Sequence, residues 1–170
     1  MIGVVDALFD RARERLGPIP RDGLGELVIP KRFLGVGRAP RIVPRGDAWH
    51  VGTLLIGDPG GEVEVAAVGD ILRSRAEVRR GFTAEAQRER AALQAAAFRG
   101  GFAEGATLHL DYTPIDLAAV ESGGSSGPLA LRDGIPSIRW SAAGGWMPLE
   151  TYLSDRIGLL LDPPGAAGNV

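Results

Sequence analysis

Two short turn signals constrain the topology of this chain more than any other feature. The dipeptide Asp133-Gly134 separates two short apolar runs, and the stretch GDPGG at 57–61 separates two others. Connections this short join antiparallel strands, because a parallel pair needs a crossover of about a dozen residues or more. The sequence therefore predicts β-hairpins over 49–68 and 129–140, with strands at 49–56 and 62–68 in the first.

A third segment has the alternation of a strand with one buried and one water-facing side. In residues 107–112, Leu108 alternates with His109 and Leu110 with Asp111, and Tyr112 follows on the leucine side. Side chains two residues apart in a strand share a face. We therefore predict that the leucines face the interior while His109 and Asp111 face water.

The remaining chain is assigned to helices and irregular segments. Apolar residues recur at three- and four-residue spacing over 4–16 and again after Pro148, which predicts two amphipathic helices. The alanine-rich stretch 83–100 predicts a third helix, with Thr83 as its N-cap, and 71–79 a short fourth one. Prolines and glycines in 17–47 predict irregular chain with one short edge strand at 27–29.

These elements predict an α+β fold: a mainly antiparallel sheet of four to six strands, with two or three helices packed on one face. The length of 170 residues fits a single domain, which we place at 1–161, followed by a flexible tail at 162–170. The stretch ESGGSSG at 121–127 is typical of a flexible loop.

Composition excludes several classes of chemistry. The chain has no cysteine, two histidines and one lysine, so a thiolate metal site and a cysteine nucleophile are excluded. We expect no cofactor and no bound metal. No apolar run approaches the roughly 20 residues that span a bilayer. We therefore expect a cytoplasmic protein without a membrane partner.

Basic residues are concentrated in the first part of the chain. Residues 73–99 contain seven arginines and three glutamates, and Arg80 and Arg88 are candidates for anion binding there. Because the glutamates are interspersed, we favour a solvated helix face over a surface for nucleic acid or another anion. The segment 31–45 is the only stretch whose charged residues are all basic, with no acidic residue between 31 and 46. The sequence does not establish whether 31–45 is ordered.

Two groups of residues are candidates for a site. His109 and Asp111, on one strand face, would place a base beside a carboxylate as in a catalytic centre, and Tyr112 is the further catalytic candidate next to them in the sequence. The glycines of SAAGGWMPLE, Gly144 and Gly145, would leave free N–H groups at a helix N-terminus, and Trp146 could shield an anion held there. The alternatives are a polar sheet surface for the first group and a plain connector for the second.

The stretches GFTAEAQRERAALQAAAFRGGFAEGATLHL and IPSIRWSAAGGWMPLETYL resemble a group of short proteins from high-GC bacteria, some of which carry the label glutaminase. The resemblance covers most of 49–161 and implies deamidation of glutamine to glutamate and ammonia. Serine-dependent glutaminases use a Ser-x-x-Lys pair, but the residue three before the only lysine, Lys31, is Val28. Amidotransferase-type enzymes use a cysteine, so the resemblance assigns no catalytic residue in this chain.

The residues favour a binding protein over an enzyme. We expect a non-catalytic module that binds a protein partner or a second copy of itself, using a water-facing sheet surface and one of the tryptophans. The alternatives are a hydrolase acting on glutamine or a related amide, and an anion binder that uses the arginine helix. We do not expect nucleic acid as a partner.

Overall fold

The computed structural model describes residues 2–77, 81 and 84–165. The helices of that part are α1 (Val4–Leu16), α2 (Glu85–Gly100), α3 (Leu117–Glu121) and α4 (Leu149–Leu161). The strands are β1 (Asp22–Val28), β2 (Arg41–Val51), β3 (Leu54–Ile56), β4 (Val65–Ala67), β5 (Asp70–Arg73), β6 (Thr107–Leu110), β7 (Thr113–Pro114), β8 (Ser125–Ser126), β9 (Leu129–Arg132), β10 (Ile135–Arg139) and β11 (Trp146–Pro148). The mixture of helices and strands confirms the α+β class, with more elements than predicted.

The chain is organised in two compact units. The described part of the first unit comprises residues 2–21, 48–68 and 113–165. The second comprises Asp22–Asp47 and Gly69–Tyr112. The chain passes between the units at four places, one of them within β2, after Asp47.

Helix α1 of the first unit has the bounds that its periodicity predicted. Its apolar stripe is buried, and Gly17 follows its last residue. The N-terminus of α1 has no side-chain cap of its own. Instead, the carboxylate of Glu121 accepts hydrogen bonds from the backbone N–H groups of Val4 and Val5, each at 2.8 Å. A carboxylate there satisfies donors that a helix leaves unpaired, and it suits the positive end of the helix dipole.

The predicted hairpin around Asp133-Gly134 is confirmed. Strands β9 and β10 pair antiparallel, and both turn residues have positive φ, 51° and 76°. That geometry is the two-residue turn that asparagine or aspartate followed by glycine favours. The full sheet has the order β11-β10-β9-β8. Its inner face packs Leu129 and Ile138 in one core cluster with Tyr152, Leu153 and Ile157 of α4.

The predicted hairpin over 49–68 is confirmed only in its second half. Strands β3 and β4 pair across the GDPGG segment, with Ile56 opposite Val65. The run 49–56, however, is not one strand. Strand β2 ends at Val51, the chain turns at Gly52, whose φ is 63°, and Leu54 of β3 pairs with Val51. A single glycine in a long apolar run was enough to make a turn.

In the second unit, a sheet of the order β5-β6-β1 is covered by α2. Residues 70–73 form strand β5, so the predicted short helix at 71–79 is wrong over its described part, which ends at residue 77. A short apolar run is compatible with either a helix or a strand, and here residues 70–73 form a strand because they pair with β6. The predicted N-cap Thr83 lies outside the described residues, and Ala84 precedes α2.

The prediction of a single short edge strand within 17–47, at 27–29, is wrong. This segment contains all of β1, which pairs parallel with β6, and the first part of β2. The glycines that suggested a loop serve close packing instead. A Cβ added at Gly23 would contact the Phe102 ring, and one at Gly25 would contact Ile42 and Leu108.

Three smaller expectations also change. The stretch 121–127 is not simply a loop, because it contains the end of α3 and all of β8. Pro148, which the sequence indicates as the first residue of the last helix, is instead the N-cap of α4. Of the predicted tail, residues 162–165 follow α4 and the rest lie outside the described chain. Among the described residues, no helix combines the length and apolar character that crossing a bilayer requires.

Candidate functional site

His109 is buried in the second unit, where it pairs with a carboxylate that the sequence did not suggest. Its side chain is 0% exposed, and its Nε2 lies 2.9 Å from Oδ2 of Asp22. The parallel register of β1 and β6 explains the pairing, since Leu24 is the partner of His109 and Asp22 begins the same strand. The prediction that His109 faces water is therefore wrong.

The physical reason is the position of β6 within its sheet. It lies between β5 and β1, and Leu108, His109 and Leu110 are all buried. A central strand is covered on both faces, so alternation along it does not separate a wet side from a dry side. The histidine is accommodated because a buried polar ring is stabilised by hydrogen bonding, here with Asp22.

Asp111 and Tyr112 do not continue that strand. Strand β6 ends at Leu110, and Asp111 is exposed with a left-handed φ of 53°. The spacing by which we placed His109 and Asp111 on one face therefore does not apply. The carboxylate hydrogen-bonded to the His109 Nε2 is that of Asp22.

The glycines Gly144 and Gly145 lie in the turn between β10 and β11, not at the start of a helix. Gly144 donates its N–H to the carbonyl of Ser141 at 3.2 Å, and the Gly145 carbonyl accepts from Trp140 at 3.2 Å. Strand β11 separates them from α4, which begins at Leu149. The predicted anion seat on these two N–H groups is wrong, because Gly144 already has an internal partner and no helix starts there.

Trp146, the third residue of that prediction, lies instead beside two arginines. The guanidinium carbon of Arg139 is 5.1 Å from the centroid of the Trp146 ring, and that of Arg132 is 5.2 Å away. Strand register accounts for this grouping. Arg139 is the cross-strand partner of Trp146, and Arg132 faces Ile135, which shares the face of Arg139.

We call the group of Arg132, Arg139 and Trp146 the Trp146 cluster. It lies on the outer face of the four-stranded sheet, opposite the face that carries Leu129 and Ile138 into the core. Both arginines are exposed, and Trp146 is half-buried. Ala130 and Ser137 of the same face are buried, so this face is open to water only in part.

The two arginines of the Trp146 cluster differ from some other arginines of the chain in their charged neighbours. Within the described chain, no carboxylate lies within ion-pair distance of Arg132 or Arg139. By contrast, Arg13 is paired with Asp10, and Arg45 with Glu26. Guanidinium groups stay charged at every physiological pH and bind carboxylates and phosphates with two parallel hydrogen bonds. Cation–π attraction to the Trp146 ring holds both guanidinium groups close to each other on the sheet surface.

The grouping stands out against the local composition. Residues 100–170 contain eight acidic side chains and only three basic ones, and two of those three contact Trp146. Sequence reasoning missed Arg132 and Arg139. The Asp133-Gly134 turn predicts that Arg132 and Arg139 share a face, but the pairing of β10 with β11 has no comparable signal.

The predicted arginine helix is described from residue 84 onward. Arg88 and its neighbours from residue 84 to residue 90 are exposed. Arg90 donates to the Ile71 carbonyl at 3.4 Å, and Arg99 donates to the Pro40 carbonyl at 2.9 Å. These two arginines therefore serve packing within the second unit. Arg80 lies outside the described residues.

Comparison of the chain with protein-family models, with curated proteins and with solved structures gave no match. The resemblance to proteins labelled glutaminase stays a prediction.

Proposed function

We propose that this chain is a non-catalytic binding module that holds an acidic protein segment on the outer face of its four-stranded sheet. The observation that carries the proposal is the placement against Trp146 of two guanidinium groups that have no carboxylate partner among the described residues. The partner is another protein or a second copy of the chain.

The chemistry of the Trp146 cluster supports an acidic segment as its ligand. Tryptophan and arginine are, with tyrosine, the residues most enriched among those that dominate protein–protein binding energy. An arginine with no carboxylate beside it can bind one from a partner without first breaking an internal ion pair. Two such groups near one ring offer a site for two neighbouring acidic side chains.

Titration with an acetylated hexaglutamate peptide tests the proposal. Isothermal calorimetry measures the affinity, and tryptophan fluorescence reports on the ring. We expect binding that weakens with added salt, as for any contact between exposed charges. In the double variant Arg132→Gln/Arg139→Gln, affinity should fall by about tenfold or more, the loss of one strong charge-assisted contact.

The matched control is Arg73→Gln/Arg88→Gln, which removes two exposed arginines from other elements. Its affinity for the peptide should stay within about twofold of the wild type. If both double variants lost the same affinity, the peptide would be attracted by the overall positive charge of the protein and not by a specific site. Absence of binding to the wild-type protein would also count against the proposal. Light scattering after size exclusion reports whether a second copy is the partner.

A further inference from the structure

The segment joining β1 to β2 in the second unit exposes large apolar side chains on a tight turn. Phe33 and Val36 exchange backbone hydrogen bonds, with N···O distances of 3.3 Å and 3.0 Å. Between them Leu34 and Gly35 have positive φ, 52° and 74°. We call residues 31–38 the apolar hairpin. Phe33 is 72% exposed, Leu34 88% and Val36 68%.

Folding of the chain does not account for these side chains. A two-residue turn with positive φ favours asparagine, aspartate or glycine, and a left-handed leucine is uncommon. Burial of the leucine side chain would compensate for the unfavourable backbone conformation, but Leu34 is almost completely exposed. A group of exposed apolar side chains at one place is typical of an interaction surface.

The apolar hairpin is flanked by positive charge. Lys31, Arg32 and Arg38 are exposed on either side of the turn. In the described part of the chain, none of the three has a carboxylate within ion-pair distance. The sequence has no acidic residue between 31 and 46 to neutralise them locally.

We propose that the apolar hairpin inserts into the surface of an anionic lipid bilayer. Phe33, Leu34 and Val36 would enter the boundary between headgroups and acyl chains, while Lys31, Arg32 and Arg38 contact lipid phosphates. Apolar side chains beside cations are what bind interfacial segments to anionic membranes. Surface insertion needs no membrane-spanning helix, so it is compatible with the absence of one from the described residues.

The composition of the hairpin favours a bilayer over other anionic partners. Single-stranded nucleic acid is bound by aromatic rings that stack on bases, but Leu34 and Val36 are aliphatic. The proposal is independent of the Trp146 cluster, because the hairpin belongs to the second unit and the cluster to the first. Either proposal can fail while the other holds.

Co-sedimentation of the full chain with vesicles tests the insertion. One vesicle set is pure phosphatidylcholine, and the other contains about 30% phosphatidylserine. We expect the wild type to partition onto the anionic vesicles and hardly onto the neutral ones. The variant Phe33→Ser/Leu34→Asn should lose about tenfold or more of this partitioning. Asparagine tolerates the left-handed turn, so this variant should retain the wild-type melting temperature.

A second variant separates the charge contribution. Lys31→Gln/Arg32→Gln/Arg38→Gln should abolish the preference for anionic vesicles, since each cation near such a surface contributes about fivefold to binding. The control Leu159→Ser/Leu161→Ser removes two exposed leucines of α4 and should bind as the wild type does.

Three results would overturn the inference. The first is absence of wild-type binding to anionic vesicles. The second is binding that both hairpin variants retain while they melt like the wild type. The third is self-association of the wild type, seen by light scattering without lipid, that Phe33→Ser/Leu34→Asn removes. In that case the hairpin contacts a second copy of the chain and not a membrane.

Discussion

The phenolic oxygen of Tyr152 accepts a hydrogen bond from the backbone N–H of Thr53 at 2.8 Å and lies 3.0 Å from the Thr53 hydroxyl. Tyr152 belongs to α4 and is 2% exposed, whereas Thr53 lies in the turn between β2 and β3. Gly52 leaves room for this contact, because a Cβ there would overlap the Tyr152 hydroxyl. The bond joins a turn to a helix 99 positions away in the sequence.

Replacing Tyr152 by phenylalanine should lower the free energy of unfolding by about 1–2 kcal/mol, because the Thr53 N–H loses its acceptor while the ring stays buried. Urea denaturation measures the change. The variant Thr53→Val retains the N–H and removes only the hydroxyl, so it should lose less. Equal stability of Tyr152→Phe and the wild type would contradict this role for the phenol.

Two helical glycines should respond oppositely to alanine. A Cβ at Gly100 would overlap the backbone of Ile42, whereas one at Gly158 in α4 meets no atom within 4 Å. Gly100→Ala should therefore destabilise the chain by about 1–3 kcal/mol through overpacking. Gly158→Ala should stabilise it by about 0.5–1 kcal/mol, the difference in helix propensity. Thermal melting of the two variants measures both changes, and a Gly100→Ala variant as stable as the wild type would refute the close packing of α2 on β2.

The hydrogen bond between buried His109 and partly exposed Asp22 should contribute to stability. Asp22→Ala removes the hydrogen-bond partner of the His109 Nε2. We expect a loss of about 1–3 kcal/mol, the cost of leaving a buried polar group without that bond. Asp70→Ala removes an exposed acid from β5 and serves as the control. Denaturant titration measures the unfolding midpoint. If both variants have the wild-type midpoint, the hydrogen bond between Asp22 and His109 is energetically neutral.

Asp58 should make part of the stability depend on pH. The hydrogen bonds and charge of Arg21 hold the pKa of the Asp58 carboxyl below its usual value. A carboxyl with a lowered folded-state pKa stabilises the fold above its unfolded-state pKa, and that contribution disappears as the pH falls through the folded-state pKa. Arg21 also lies over the Trp49 ring at 3.8 Å, which holds the guanidinium in place.

The difference in melting temperature between the wild type and Asp58→Asn should therefore be larger at neutral pH than at strongly acidic pH. Carbon NMR of the Asp58 carboxyl, followed through an acid titration, gives the folded-state pKa directly. Arg21→Gln is the matched variant, and it should move that pKa back toward the usual aspartate value. A normal Asp58 pKa in the wild type would refute the coupling.

Local signals predicted several elements correctly. Helix α1 has the bounds that its apolar spacing predicted, and the hairpin of β9 and β10 turns at Asp133-Gly134. Both depend on residues close in sequence: one on a repeated side-chain spacing, the other on backbone conformations that aspartate and glycine adopt. The candidate site was predicted only in part, since Trp146 was named for a helix terminus that is absent there.

The wrong predictions share one physical cause, which is contact between distant segments. Glycines in β1 suggested a loop, but they let Phe102 and Leu108 approach the backbone closely. His109 was placed on a water-facing side because alternation carries no information on whether a strand lies at the edge or the centre of a sheet. Asp22 and His109 are 87 positions apart, so no local pattern links them.

The sequence by itself determined the elements whose causes are local: the amphipathic helices at both ends of the first unit, the two-residue turn at Asp133-Gly134, and the positive charge of 31–45. Tertiary structure alone decided which strands are neighbours, which face of each is covered, and hence that Arg132 and Arg139 meet at Trp146. The reason is that a strand satisfies its backbone hydrogen bonds with any neighbour of suitable shape, and packing of the whole unit selects among them.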